Sequence, residues 1–253
     1  MMKSDRPIIP AGIKREVRKR CGFGCVLCGK PLYDYDHIVD WSKVKEHKAD
    51  NITLLCRLHH NEKTAKLLPI ERVIKANKYP INLKRGKSTP HLLHYDGENC
   101  AAVLGPMEFT FELKLENDFM IPLIIDNVPI IQFRRVDDQL LLSLQIFDND
   151  NNLSVQVIDN EIWYLAELWD VDLVGRELTV RYQLKDLLLR MRIEVPNKIS
   201  IDRANFCRNG IKVDINDKVF FLSNNNTGFS DITYTNCLVG LALGDIPDAL
   251  PYA

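Results

Sequence analysis

Residues 21–32 read CGFGCVLCGKPL, and residues 50–64 read DNITLLCRLHHNEKT. Each stretch contains a pair of metal-binding residues with only two other residues between them: Cys25 and Cys28 in the first, and Cys56 and His59 in the second. Two such pairs with a loop between them are how a chain builds a tetrahedral zinc site, because each pair approaches the ion from its own side. The spacing therefore predicts a structural zinc ion. Its expected ligands are Cys25, Cys28, Cys56 and His59.

The cysteine content also favours a metal site over disulfides. The chain has seven cysteines, an odd number, and its N-terminal residues lack the apolar core of a signal peptide,. Cys21 precedes Cys25 by four residues and is an alternative to His59 as the fourth ligand. We favour His59 because its spacing from Cys56 mirrors that of the first pair.

The segments around these ligands suggest a small mixed fold. Residues 11–20 are typical of a short basic helix, whose cations could lie along a phosphate backbone,. Residues 33–39 (YDYDHIV) alternate as a strand does, and the later part of the segment that follows Asn51 indicates a helix,. The predicted order is strand, loop, helix.

A second set of polar residues is interleaved with the zinc ligands: Asp36-His37, Asn51 and His60. With its surroundings, YDHIVDW and then DNITLLCRLHHNEKT, this set resembles the HNH endonuclease family over approximately residues 10–70. Asn51 and His60 have eight residues between them, as is typical of that family. One departure is His59, which stands where the family usually has the second cysteine of the closing pair. The resemblance implies a zinc-stapled ββα-metal fold.

Phosphodiester hydrolysis requires an activated water, neutralisation of charge on phosphorus, and stabilisation of the departing oxygen. An imidazole such as that of His37 can accept a proton near neutral pH. The resemblance implies that His37 is the general base and that Asp36 and His60 hold a catalytic Mg²⁺ or Mn²⁺. It also implies that Asn51 ties the loop to the strand and orients His37.

The distribution of charge favours a polyanionic partner for the first part of the chain. The net charge is −1, but residues 1–90 contain 20 Lys and Arg against 9 Asp and Glu, a charge of +11. The remaining residues carry 13 basic and 25 acidic side chains, a charge of −12. This split suits the basic part to a polyanion. The resemblance to the HNH endonucleases implies that this polyanion is DNA, with RNA as an alternative. We expect Arg57 and Lys63 to contact phosphates.

The rest of the chain has the pattern of a β-rich domain. Residues 76–108 lack sustained periodicity, and we place a boundary there, between a nuclease domain at 1–90 and a β domain at 91–253,. Short segments such as LLLSLQIF and LLLRMRIEV, separated by turn-forming clusters, are typical of an antiparallel sandwich or barrel,. The expected fold class is α+β. For the β domain, three roles remain open: sensing or target reading, oligomerisation, and an acidic surface that covers the basic domain.

These patterns lead to one functional hypothesis and its rivals. The chain is expected to be a cytoplasmic HNH endonuclease that cuts DNA, with a restriction-like or defence role by analogy alone. We expect no membrane association and a homodimer formed through the C-terminal domain, since cutting both strands generally requires two sites. The rivals are a zinc-containing nucleic-acid-binding module without catalysis and an RNA-cutting nuclease.

Overall fold

The computed structural model describes residues 7–116 and 118–245. The fold is mixed α+β and consists mostly of sheet, in agreement with the predicted class. The chain forms two compact units, and the first is built from two separate parts of the sequence. The first unit comprises Met1–Pro90 and Leu165–Asp172, and the second comprises His91–Tyr164 and Leu173–Ala253.

Residues 7–90 of the first unit contain five helices, two strands and one 3-10 turn. Helix α1 confirms the helix expected over residues 11–20, and Gly22, with φ of +67°, follows its end. In chain order the elements are α1 (Ala11–Arg20), β1 (Asp34–His37), α2 (Trp41–Val44), the 3-10 turn (Ala49–Asn51), β2 (Ile52–Leu55), α3 (Arg57–Thr64), α4 (Ile70–Lys78) and α5 (Ile81–Arg85).

Strands β1 and β2 form an antiparallel pair, and β1 carries Asp36 and His37. Asp36 lies opposite Thr53, and His37 lies opposite Ile52. All four residues of β2 are buried, and Ile52, Leu54 and Leu55 pack with Val17 of α1 and Val73 of α4 in a small apolar core. The core therefore fixes the strand pair from which helix α3 continues.

The segment 165–172 is bound to helix α1 by polar contacts. The guanidinium of Arg18 donates hydrogen bonds to both carboxylate oxygens of Asp170, at 2.9 and 2.8 Å. The Arg15 guanidinium lies 3.6 Å from the centre of the Trp169 ring, and Lys19 donates to the carbonyls of Glu167 and Leu168. Nothing in the sequence pattern indicated that this segment joins the first unit.

The second unit is built from strands. Their bounds are β3 (His91–Leu92), β4 (Asn99–Leu104), β5 (Met107–Glu112), β6 (Phe119–Ile125), β7 (Val128–Val136), β8 (Gln139–Phe147), β9 (Leu153–Ile158), β10 (Glu161–Tyr164), β11 (Asp170–Val174, which begins in the first unit), β12 (Glu177–Gln183), β13 (Asp186–Glu194), β14 (Lys198–Arg208), β15 (Ile211–Ile215), β16 (Phe220–Leu222), β17 (Thr227–Phe229), β18 (Thr233–Thr235) and β19 (Val239–Leu243).

Two sheets account for these strands. One has the order β19-β6-β7-β8-β9-β10-β3, and the other contains the run β12-β13-β14-β15-β16-β17. Most neighbours are antiparallel, but β14 with β4, β18 with β5, and β19 with β6 are parallel. Neither sheet closes on itself in the part of the chain that the structure describes. The choice between sandwich and barrel stays a prediction.

The aperiodic stretch at 76–108 is more ordered than its composition suggested, since it contains α5 and β4. Among residues 7–116 and 118–245, no helix is both long and apolar enough to cross a membrane.

Candidate metal centre and active site

Four potential zinc ligands converge at the start of helix α3. Cys25 and Cys28 lie in the turn region between α1 and β1, whereas Cys56 is the residue that precedes α3 and His59 lies in its first turn. Residues three apart share one face of a helix, so Cys56 and His59 point the same way. The ligand atoms of all four residues lie within 4.8 Å of one another.

The distances within this group fit a tetrahedral ion. The sulfurs of Cys28 and Cys56 are 3.7 Å apart, and His59 Nδ1 lies 3.3 Å from the Cys25 sulfur and 3.2 Å from that of Cys56. With Zn–S near 2.3 Å and Zn–N near 2.0 Å, a tetrahedron has S–S edges of about 3.8 Å and S–N edges of about 3.5 Å. The donor set is thus of the right size and chemistry for zinc.

Cys21 does not join this group. Its thiol is fully buried at the end of α1, 3.9 Å from the Thr53 hydroxyl and 3.7 Å from the side-chain oxygen of Asn77. Burial raises the pKa of the Cys21 thiol. In contrast, the neighbouring Cys28 thiol lowers the pKa of Cys25, and the same interaction raises the pKa of Cys28. The cluster therefore favours a thiolate at Cys25, which is the metal-binding form of cysteine.

Asn82 supports the cysteine turn, and sequence reasoning missed it. Its buried side-chain amide on α5 donates hydrogen bonds to the carbonyls of Gly22 and Gly29, at 2.9 and 3.1 Å. Gly29 has φ of +78°, and a Cβ there would come within 2.2 Å of the Asn82 side-chain oxygen. Only glycine fits this approach, so Asn82 and Gly29 together shape the turn that presents Cys25 and Cys28.

The second group of polar residues lies where strand β1 meets helix α3. Asp36 Oδ1 is 3.3 Å from His60 Nε2, and Asp36 Oδ2 forms an ion pair of 2.7 Å with the Lys63 ammonium. The Asp36 side chain is 11% exposed and that of His60 is 38% exposed, so this pair faces solvent through the imidazole. The two carboxylate oxygens of Asp36 thus have different neighbours.

His37 and Asn51 lie together at the end of the strand pair. The Lys63 ammonium donates to the His37 carbonyl at 2.6 Å. The Asn51 side chain accepts a hydrogen bond from the Val39 amide at 2.8 Å and donates one to the Val39 carbonyl at 3.1 Å. Asn51 therefore holds the chain two residues beyond His37, and its role in orienting His37 stays a prediction.

Lys63 and Arg57, the two residues expected to contact phosphates, have different surroundings. Lys63 is only 13% exposed and is engaged by Asp36 and the His37 carbonyl, a placement that the sequence did not indicate. A cleft of about 490 Å³ nevertheless borders Asp36, Lys63 and Lys66. Arg57, the first residue of α3, is exposed. Phosphate binding by Lys63 and Arg57 stays a prediction.

His47 and Trp41 were not assigned a role from the sequence, yet both contact His37. The Trp41 and His37 rings meet edge to face with centres 5.4 Å apart, and the Trp41 and His47 rings are stacked at 4.6 Å. His47 Nδ1 lies 3.3 Å from His37 Nε2. No spacing rule marks His47, because it lies in a polar loop whose path only the fold determines.

Comparison with known proteins finds a family match in this part of the chain. Residues 25–66 match the HNH endonuclease family. The matched residues of this HNH region include the four potential zinc ligands, the second group of polar residues, the strand pair and helix α3. The resemblance inferred from the sequence is confirmed. No curated protein and no solved structure matches the chain. The HNH match indicates a nuclease or nucleic-acid-binding function for the first unit.

Proposed function

We propose that this protein is a metal-dependent HNH endonuclease that hydrolyses DNA phosphodiester bonds. The observation that carries the proposal is the Asp36–His60 pair, whose oxygen and nitrogen atoms are 3.3 Å apart. Asp36 directly precedes His37, and all three residues lie inside the HNH match. The carboxylate of Asp36 is the ligand type that Mg²⁺ and Mn²⁺ prefer, and the solvent-accessible His60 imidazole offers the ion a second ligand,.

The environment of Asp36 fits a cation. One carboxylate oxygen faces His60, while the other is held by Lys63, so a cation bound by Asp36 and His60 does not need to displace the Lys63 ammonium. Such an ion supplies neutralisation of phosphate charge and stabilisation of the departing oxygen. Asp36 and His60 are accordingly the proposed ligands of the catalytic ion.

The remaining residues of the proposed site accept a proton or hold other groups in position. His37 accepts the proton of the attacking water. Lys63 and Asn51 hold the backbone that directly follows the His37 side chain, through the His37 carbonyl and through Val39. His59 directly precedes His60 in α3, so a zinc ion held by Cys25, Cys28, Cys56 and His59 fixes the start of the helix and thereby the position of His60,.

The proposed substrate is DNA. Residues 1–90 carry a charge of +11, which attracts a polyanion, and the exposed Arg57 can reach a phosphate from the first turn of α3,. RNA shares the phosphodiester chemistry and is the alternative substrate. For the second unit we propose a role in dimer formation, and sensing or masking of the basic unit are its alternatives. A role in defence against phage rests on analogy alone. Its test is the plating efficiency of phage on cells that carry the protein.

The test is incubation of the purified protein with supercoiled plasmid, linear duplex, single-stranded DNA and RNA, each with Mg²⁺, Mn²⁺ or EDTA. His37→Ala should abolish metal-dependent cleavage while zinc content and folding are retained. The matched control is His94→Ala, which changes an exposed histidine of the second unit and should leave cleavage unchanged. Equal cleavage by the His37 variant and the wild type would exclude His37 as the base.

One observation favours a rival function. Lys63 already neutralises Asp36, as expected if the site binds nucleic acid without catalysis. In that case the wild type shifts the mobility of duplex DNA in EDTA but cuts no substrate with either metal. Cleavage of RNA alone would instead assign the enzyme to the RNA-cutting alternative.

A further inference from the structure

Three rings form a cluster at the end of strand β1: those of His37, Trp41 and His47. Trp41 stacks on His47 with centres 4.6 Å apart, and the His37 ring contacts both. The stacking fixes the plane of the His47 ring and directs its Nδ1 to His37 Nε2, 3.3 Å away. His47 is therefore held by one aromatic neighbour while it contacts the proposed base.

The direction of the hydrogen bonds follows from the far side of His47. His47 Nε2 lies 2.7 Å from the carbonyl oxygen of Pro7. A carbonyl only accepts hydrogen bonds, so His47 Nε2 carries the proton. An uncharged imidazole has a single N–H, and His47 Nδ1 consequently presents a lone pair. His37 Nε2 must then be the donor in the bond between the two rings.

We propose that His47 is a positioning residue that holds His37 as its Nε2–H tautomer. In this tautomer the lone pair of His37 is at Nδ1, and Nδ1 is the nitrogen that accepts the proton of the attacking water. Lys63 and Asn51 hold the backbone around His37, whereas His47 orients its ring, so the two restraints are independent. The catalytic meaning of this tautomer rests on the proposed function, but the tautomer itself does not.

The first test measures the tautomer by long-range ¹H–¹⁵N correlation spectra of the full, zinc-loaded chain labelled with ¹⁵N, at a pH where the histidines are uncharged. Signals are assigned by comparison with His37→Ala. In the wild type, His37 should carry its proton on Nε2. His47→Phe keeps a ring against Trp41 but removes the acceptor, and it should convert His37 to a mixture of tautomers. His47→Asn retains an acceptor near the Nδ1 position and should restore the Nε2–H form.

The second test separates positioning from mere structure through kinetics. His47→Phe should lower kcat by about 10- to 100-fold with little change in KM, the usual scale for residues that orient a metal-site group. His47→Asn should recover most of that loss. A wild-type His37 that carries its proton on Nδ1, or a His37 tautomer that is unchanged in His47→Phe, would overturn the proposal.

The two proposals fail separately. If the wild type cuts no substrate, the proposed function fails, and the spectra still decide the bond between His37 and His47. If the wild type cuts but His47→Phe has normal kcat and a normal His37 tautomer, only the positioning role fails.

Discussion

Replacement of Asp170 by alanine should destabilise the first unit, because it leaves the Arg18 guanidinium buried without its main partner. The two side chains are 8% and 4% exposed and share two hydrogen bonds. Burial on its own lowers the pKa of Arg18, but the bond to Asp170 and nearby charges raise it above its usual value. Removal of one member of a buried pair costs about 3–5 kcal/mol. Since Arg18 keeps the Tyr35 hydroxyl at 2.9 Å and Asp172 at 3.2 Å, we expect about 3 kcal/mol,.

The assay is urea denaturation followed by zinc release to a coloured chelator, which reports on the first unit alone. The double variant Arg18→Met/Asp170→Leu should recover most of the loss, because no unpaired charge stays buried. The matched control is Asp202→Ala, which breaks a similar two-bond pair with Arg192 on the surface and should cost less than about 1 kcal/mol,. A loss below about 1 kcal/mol in Asp170→Ala, equal to that of the control, would refute the reasoning.

Three further predictions follow from the site and the second unit. Cys28→Ala should lower the zinc content measured by atomic emission and unfold the first unit, since structural zinc contributes about 10–16 kcal/mol of folding free energy; the exposed Cys237→Ala is the control, and a folded, zinc-loaded Cys28 variant would contradict the assignment. Asn51→Ala removes two hydrogen bonds to Val39 and should cost about 1–2 kcal/mol and slow cleavage,; unchanged cleavage would exclude an orienting role. Burial raises the pKa of Cys100 from 9.0 to about 12. The unfolded chain therefore loses this proton first, and the second unit should lose stability as the pH rises from 9 towards 12, more so than in Cys100→Ala, as measured by urea denaturation at each pH.

The local parts of the site could be predicted from the sequence because their spacing carries the chemistry. Cys25 with Cys28, and Cys56 with His59, each lie within one turn of the chain, so their convergence depends on little else. The strand that carries Asp36 and His37 has a clear alternation, and the match to the HNH family covers it.

Other features depend on contacts between distant parts of the chain. Asn82 reaches Gly22 and Gly29 from about 60 positions away, and His47 meets His37 only because its loop returns to the strand end. Strand β14 is hard to predict from its local sequence because charged and amide side chains interrupt its apolar residues. Parallel pairs such as β14 with β4 join segments about 100 residues apart, and a local pattern carries no trace of them.

The attachment of residues 165–172 to the first unit bears on how such a protein can be rearranged during evolution. A gene fragment that encodes only residues 1–90 would include Arg18 and omit Asp170, so its product would expose apolar surface or bury an uncompensated charge,. If another module replaced the β unit, residues 165–172 would have to be kept, although they lie in the middle of the sequence being exchanged. The first unit is therefore not a transferable cassette, and recombination at a single junction after residue 90 should yield few functional chimeras.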